Sequence, residues 1–266
     1  MEIPFSRSYP AIAQRRSKRR YESRPLETDT LRHLQTIVKE FKPFPETRAV
    51  LIDPSPEDVF KGIIGSYGKI KDAPAFIAFI GNTEDQHINE KIGYLGEGII
   101  LEATALHLGT CWVGGMFRSG VAARLSRIEP HEKVFAVTPV GYPIEGYSLE
   151  EKIMKTLVRS DRRKPLNELT AGMREAQWPS WVKEALDAAR LAPSAVNRQP
   201  WRFHIESNSI TVSVDNPRDT YKISKRLDCG IAMMHIEVAA LKNGIQGRWE
   251  FLETPKVARF GLGRKI

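Results

Sequence analysis

The side chains best suited to bind a ligand lie in the stretch 191–203, which reads LAPSAVNRQPWRF. Pro193 and the second proline fix two backbone angles and remove two N–H donors, so a helix that enters this stretch must end here. Ser194, Asn197 and Gln199 then offer a hydroxyl and two amides at a fixed spacing, which suits a flat polar ligand. The alternative is a plain corner between a helix and a strand, with a buried tryptophan and side chains that bond to one another.

A second stretch, residues 15–20, places five positive charges around Ser17. Arginine side chains bind phosphate groups through pairs of hydrogen bonds, so this stretch is suited to hold a polyanion. The alternatives are a solvated basic run and a nucleic-acid or targeting patch.

Four stretches together resemble the flavin-dependent nitroreductase family. LAPSAVNRQPWRF resembles its APSxxNxQPW signature, and QRRSKRRY at 14–21 resembles its N-terminal RRSxRxF/Y. ALHLGTCWVGG at 105–115 and VTPVGYP at 137–143 resemble its helix-end and late-strand elements. The order differs, because in the family APSxxNxQPW soon follows RRS, whereas here it comes after GYP.

The resemblance implies a binding site for flavin mononucleotide (FMN). Arg15, Arg16 and Ser17 would contact the phosphate and the ribityl chain. Arg19 would lie near the N1–C2=O edge of the flavin, where a cation stabilises the reduced ring. The other cofactor-binding residues implied are Trp112, Val113, Gly114, Arg162, Arg163, Pro193, Ser194, Asn197 and Gln199. For the two later arginines an exposed basic loop stays open as the alternative, and for Trp112 a helix end with a buried tryptophan.

The resemblance also implies a reaction. NAD(P)H would deliver hydride to the flavin, and a nitroaromatic, a quinone or a similar flat acceptor would then be reduced. We predict no catalytic side chain, because the cofactor supplies the difficult step and the protein holds and tunes it. Two alternatives stay open: a flavin protein with another redox role, such as reductive dehalogenation, and a non-enzymatic basic module that binds phosphate or nucleic acid.

Composition and motifs exclude several other classes. The chain has 266 residues, a net charge of +8 and two cysteines, which is too few for a disulfide framework. HExxH, CxxC and GxSxG motifs are absent, so neither a metal centre nor a hydrolase is predicted. The stretch 65–69 resembles half of a phosphate-binding loop but lacks its first glycine and its Ser/Thr. Without a long apolar run, we expect a soluble cytoplasmic protein with no membrane or nucleic-acid partner.

The resemblance implies an α+β fold, and hydrophobic periodicity predicts its individual elements. Gly109 is expected to end the predicted helix 94–108 as its C-cap residue. Residues 166–180 are expected to form a linker, and residues 260–266 a loose tail. The predicted helices are 29–41, 94–108, 181–190 and 228–243, and the predicted strands are 48–53, 75–80, 133–140, 201–206, 209–215 and 245–252.

An internal repeat accounts for the altered motif order. EATALHLG at 102–109 resembles EVAALKNG at 237–244. The first half, 1–165, keeps RRSKR and GTCWVGG but lacks APSxxNxQPW, and the second half, 166–266, keeps that signature but lacks RRSxR. Family members usually pair as homodimers that share two flavins. The resemblance implies a three-layer α-β-α fold. The complementary losses lead us to expect a single-chain pseudo-dimer, monomeric, with one composite FMN site and a second, dead one.

Overall fold

The computed structural model describes residues 2–55, 59–60, 70–144, 146, 162–220 and 222–262. The stretch 65–69 lies outside this part of the chain, and so do residues 159–161, which precede the predicted Arg162 and Arg163. The elements up to residue 141 are α1 (Phe5–Gln14), α2 (Thr28–Glu40), β1 (Thr47–Ile52), β2 (Ala75–Asn82), α3 (Ile88–Ala105), β3 (Gly109–Thr110), α4 (Ser119–Ser126) and β4 (Glu132–Gly141). Those from residue 166 onward are α5 (Leu166–Leu169), β5 (Thr170–Gly172), a 3-10 turn (Glu175–Gln177), α6 (Ser180–Arg190), a 3-10 turn (Ala195–Asn197), β6 (Trp201–Glu206), β7 (Ser209–Val214), α7 (Lys225–Lys242), β8 (Gly247–Phe251) and β9 (Lys256–Leu262).

The first sheet lies between two helical layers. Its strands are antiparallel in the order β1-β2-β4-β3. Along β2, Ile77 and Phe79 pack into the core that contains α3, while Phe76 and Ile80 pack into a separate core that contains Ala122 of α4. Because both faces are covered, the strand reads as a continuous apolar run. The predicted α-β-α layering is confirmed here.

The second sheet repeats the topology of the first. Its order is β5-β6-β7-β9-β8, and apart from the short parallel β5 all its pairings are antiparallel. The chain therefore contains two units, one from α2 to β4 and the other from α6 to β9. Each has the order helix, strand, strand, helix, strand, strand. In the first unit, α4 is inserted between the last two strands.

Helices α3 and α7 cross at the centre of the molecule, and each has 18 residues. A side chain at Gly93 would overlap the carbonyl oxygen of Leu227, and one at Gly230 would overlap that of Glu90. Each glycine thus meets the residue three positions before the other glycine. This exchange is the pattern of a two-fold interface between equivalent helices.

Three sequence predictions are wrong. Helix α3 ends at Ala105, His107 takes the left-handed position (φ 61°), and Gly109 pairs in β3 instead of capping the helix. The predicted linker 166–180 contains α5 and β5, which pairs with β6. The predicted tail belongs to β9 up to residue 262, and Phe260 is fully buried because it packs against the rings of Trp181 and Trp249.

Candidate functional site

The corner after α6 is a strained piece of backbone. Pro193 follows the helix end, as predicted, and Ser194 Oγ accepts a hydrogen bond from the Gln199 N–H (2.9 Å). Three residues have left-handed φ angles: Val196 (47°), Asn197 (56°) and Gln199 (48°). Asparagine tolerates this region, but a β-branched valine rarely enters it. Such strain persists only where the surrounding contacts enforce it, and it is concentrated at functional sites.

A short segment before α5 holds this corner in place. Arg163 Nη1 donates to Asn197 Oδ1 (2.8 Å), and the Asn197 amide donates to the Arg162 carbonyl (3.0 Å). The Gln199 amide donates to the same carbonyl (3.1 Å), and its oxygen accepts from the Lys164 N–H (2.8 Å). The structure therefore brings four of the predicted site residues together, and much of their hydrogen bonding is to this neighbouring segment.

A buried ion pair fixes the other side of the corner. Asp228 in the first turn of α7 accepts from Arg198 Nε (2.6 Å) and from the Ala195 N–H (3.1 Å). Arg198 also donates to the carbonyls of Thr220 (3.2 Å) and Ile223 (3.0 Å). Burial raises the pKa of Asp228 to about 6, and the nearby Arg198 charge opposes that rise.

The predicted phosphate-binding segment contains a buried guanidinium. Arg15 is 6% exposed, and its ion-pair partner is Glu97, with Nε 3.7 Å from Oε1. Glu97 already accepts from Trp112 Nε1 (2.7 Å) and pairs with His235 Nε2 (2.9 Å). Arg15 Nε has no hydrogen-bond partner in the described part of the chain, and burial lowers the pKa of Arg15. Because a buried charge without a hydrogen-bonded partner is costly, this guanidinium suits a bound anion.

The rest of the basic segment runs beside β3. Ser17 forms a parallel bridge with Thr110, and the Lys18 N–H donates to the Thr110 carbonyl (2.8 Å). Arg16 is exposed, and its Nη1 donates to two carbonyls at the end of α1 (2.9 and 2.8 Å). Arg19 is half-buried and, among the residues described, pairs with no acidic side chain. Cationic side chains thus remain available to an anion along this segment.

One residue connects the two groups of predicted site residues. Val113 is held in a bridge to Val137 of β4, which leaves Gly114 facing Ile223. A Cβ at Gly114 would lie 3.4 Å from the Ile223 side chain, and the Ile223 carbonyl accepts from Arg198 of the corner. The loop that follows β3 and the corner that follows α6 therefore both lie next to Ile223.

Motif reasoning misses several of the polar residues in these contacts. Glu97 and His235 are fully buried, and Lys164 Nζ donates to the carbonyls of Arg198 and Gln199 (3.1 Å each). The available signal was compositional, since a charged or ionisable residue within an apolar helical stretch needs a partner. Among the described residues, no three His, Cys, Asp or Glu side chains are grouped to hold a metal ion.

The family follows from a match over most of the chain. A family model described as "Putative TM nitroreductase" matches residues 7–240. The chain belongs to this nitroreductase family. A putative nitroreductase from Thermotoga maritima is 19% identical, covers 96% of this chain and 93% of its own, and superposes with a TM-score of 0.65, which shows the shared fold.

Other nitroreductase structures match a smaller share of the chain. A nitroreductase family protein from Clostridium difficile 630 is 21% identical and covers 60% of this chain and 95% of its own, with a TM-score of 0.46. A nitroreductase with bound FMN from Bacteroides fragilis is 16% identical and covers 53% and 91%, with a TM-score of 0.41. No curated protein matches the chain. Within the described residues, no helix has the length and apolarity to cross a membrane.

Proposed function

We propose that this nitroreductase-family protein is an FMN-dependent oxidoreductase that transfers hydride from NAD(P)H to a nitroaromatic, a quinone or a similar flat acceptor. The observation that carries the proposal is that the loop at Gly114 and the corner held by Arg198 both lie next to Ile223. These segments are far apart in sequence, yet both match motifs of flavin-binding nitroreductases. The physiological setting proposed is the cytoplasm, with small molecules as partners.

The residues divide the binding task between the two halves. Arg15, Arg16 and Ser17 hold the phosphate and ribityl chain, and Arg19 places its charge near the reducible ring. When bound, FMN accepts and donates the hydride, while these side chains bind and orient it. The remaining proposed cofactor-binding residues are Trp112, Val113, Gly114, Arg162, Arg163, Pro193, Ser194, Asn197 and Gln199.

In this proposal the chain is a fused pseudo-dimer with halves 1–165 and 166–266. The shared order of elements and the two-fold exchange of contacts between α3 and α7 support it. Trp249 follows Trp112 by 137 positions, which is also the distance between the first residues of the two helices. At the position that corresponds to Gly114, the second half has Phe251.

Aromatic rings fill the second, equivalent location. Phe44 follows the end of α2 by as many residues as Ser194 follows the end of α6. Phe44 packs edge-on against Phe251 (ring centroids 5.4 Å apart) and against Tyr94 (5.3 Å), while Phe251 stacks on His87 (5.4 Å). Rings thus stand where the first location has a glycine and a serine, which favours one FMN per monomeric chain.

The proposal is tested by titrating the purified chain with FMN and measuring the stoichiometry by calorimetry. One FMN per chain, the visible absorption of oxidised flavin and its loss on adding NADH or NADPH without oxygen are the expected results. The flavin absorption should then recover when a nitroaromatic or a quinone is added, which tests the transfer of hydride to the acceptor. A colourless chain that takes up no FMN would contradict the proposed function, and two FMN per chain would contradict the pseudo-dimer with one site.

Arg16→Ala should weaken FMN binding. Within the described residues the exposed guanidinium donates to two backbone carbonyls, so it can turn to the phosphate, and a charged hydrogen bond contributes about 1.5–3 kcal/mol. The FMN dissociation constant measured by fluorescence quenching should rise accordingly. Arg32→Ala is the matched control, because Arg32 is 70% exposed and pairs with Asp29 on α2. An unchanged constant in Arg16→Ala would remove Arg16 from the site.

Asn197→Gly should also loosen FMN, although Asn197 is far from the basic segment in sequence. Glycine keeps the left-handed backbone (φ 56°) but removes the bonds to Arg163 and Arg162. The loss of about 1 kcal/mol corresponds to roughly fivefold weaker binding in the same assay. If Asn197→Gly and the wild type bind FMN equally, a site shared by the two halves is not supported.

A further inference from the structure

A carboxylate–imidazole pair lies at the centre of the molecule, where α3 and α7 cross. Glu97 of α3 and His235 of α7 are both fully buried, and His235 Nε2 lies 2.9 Å from Glu97 Oε1. His235 Nδ1 lies 2.8 Å from the carbonyl oxygen of Ala188 in α6. Because a carbonyl only accepts, Nδ1 carries a proton, and a second proton lies between Nε2 and Oε1. Every polar atom of the imidazole is therefore committed to a named partner.

The pair extends toward both walls of the candidate site. On one side, Glu97 Oε2 accepts from Trp112 Nε1 (2.7 Å), and Arg15 Nε lies 3.7 Å from Oε1. On the other side, Ala188 lies in the last turn of α6, directly before the strained corner. A continuous chain of hydrogen bonds thus joins the loop after β3, in the first half, to the helix that leads into the corner, in the second half.

We propose that Glu97 and His235 are positioning residues: together they set the Trp112 loop of the first half against the corner of the second half. This inference rests on the proposed FMN site, whose shape the two segments define. A buried network in which each member has a partner is rigid, so the loss of one bond is expected to displace the groups at its ends. The pair would act on FMN through Trp112 and α6 and would make no contact with the flavin itself.

The molecule contains its own control. Glu237 accepts from Trp249 Nε1 (2.7 Å) and from Tyr94 Oη (2.6 Å). This indole–carboxylate bond has the length of the one between Trp112 and Glu97, and it lies at the equivalent location that aromatic rings fill. Tyr94→Phe removes one bond to that carboxylate without reaching the candidate site. It therefore measures what the loss of a buried hydrogen bond does to the fold alone.

Two substitutions of His235 separate its two bonds. The amide nitrogen of asparagine takes the place of Nδ1, so His235→Asn keeps the bond to Ala188 and loses the bond to Glu97. The amide of glutamine reaches the place of Nε2, so His235→Gln keeps the bond to Glu97 and loses the one to Ala188. Because the two variants remove different bonds of the same residue, a difference between them cannot come from the loss of the imidazole alone.

The first readout is the indole N–H signals of the five tryptophans in ¹⁵N NMR spectra of the flavin-free chain, assigned with Trp112→Phe and Trp249→Phe. His235→Asn should shift the Trp112 signal and speed its hydrogen exchange while the Trp249 signal stays in place. Tyr94→Phe should do the reverse, and His235→Gln should leave Trp112 close to its wild-type position. A Trp112 signal that does not respond to His235→Asn would overturn the inference even if FMN binds as proposed.

The second readout is the FMN dissociation constant. His235→Asn should weaken FMN binding by at least about tenfold, whereas Tyr94→Phe should change it by less than about twofold. Equal effects of the two variants would assign His235 a general structural role and overturn the inference. If wild-type protein binds no FMN, the proposed function fails, and the Trp112 signal still decides whether the pair positions the loop.

Discussion

Replacing Gly230 by alanine should destabilise the protein by at least about 3 kcal/mol. Adding a methyl group to a well-packed core usually costs about 1–3 kcal/mol, and the cost is at the upper end or above when the group meets rigid backbone. The added methyl group would overlap the carbonyl oxygen of Glu90 in the first turn of α3, and this backbone atom can move aside only if the helix moves with it. The two helices would have to separate along their whole crossing. Denaturant unfolding followed by circular dichroism would measure the loss.

Gly120→Ala is the matched control for this change. Gly120 lies near the start of α4, and a Cβ there would meet no atom within 4 Å. Alanine in a helix is favoured over glycine by up to about 1 kcal/mol, so this variant should be as stable as the wild type or slightly more stable. If Gly230→Ala were equally well tolerated, the close backbone contact between α3 and α7 would be refuted.

Asp228→Ala should cost about 3–5 kcal/mol, since it leaves the buried guanidinium of Arg198 without its carboxylate. The Arg198 side chain is only 10% exposed, and the Ala195 N–H loses its acceptor in the same change. Both ends of the strained turn would be released, so FMN binding should weaken together with stability. Arg259→Ala is the control, because its pair with Glu250 is exposed and exposed pairs contribute about 0–1 kcal/mol. If Asp228→Ala and Arg259→Ala lost similar amounts of stability, the burial of the pair between Arg198 and Asp228 would be contradicted.

Asp228 also gives stability a defined pH dependence. Its pKa of about 6 in the folded chain lies above the ordinary value of 3.8, so the folded state binds the proton more tightly. Stability should therefore rise as the pH falls from about 7 to about 4, by at most about 3 kcal/mol. Asp228→Asn should lack this rise, and the difference between the two unfolding curves across that pH range isolates it. Parallel curves would show that the carboxyl titrates near its ordinary value.

The local sequence pattern is sufficient to predict those elements whose own residues show a clear hydrophobic periodicity or a clear turn. The strands 201–206 and 209–214 were predicted almost to the residue, because apolar residues recur along them and a two-residue turn separates them. β9 was missed because its sequence, KVARFGL with a glycine before its last residue, has no such signal. Pairing with β7 and β8, together with the burial of Phe260, specifies this strand, and these contacts come from distant parts of the chain.

The site was predictable only in outline. Motifs predict that the basic stretch near the start and the corner near residue 195 share one site, and this stays a prediction. The structure places Arg163 beside Asn197 and Ser17 beside Thr110. The motifs did not indicate that the amides of Asn197 and Gln199 bond largely to the segment before α5, an arrangement close to the plain corner considered as the alternative. Hydrogen-bond partners of this kind are set by tertiary contact, which no spacing rule in one segment encodes.

The two helices that cross at Gly93 and Gly230 belong to one polypeptide, which changes how the candidate site responds to dilution. In a homodimer the two walls of such a site separate when the protein concentration falls below the dissociation constant of the subunits. Here a covalent connection keeps them at a fixed effective concentration, so assembly of the site is a first-order process. Flavin occupancy per chain should then depend on the concentration of free FMN and not on that of the protein.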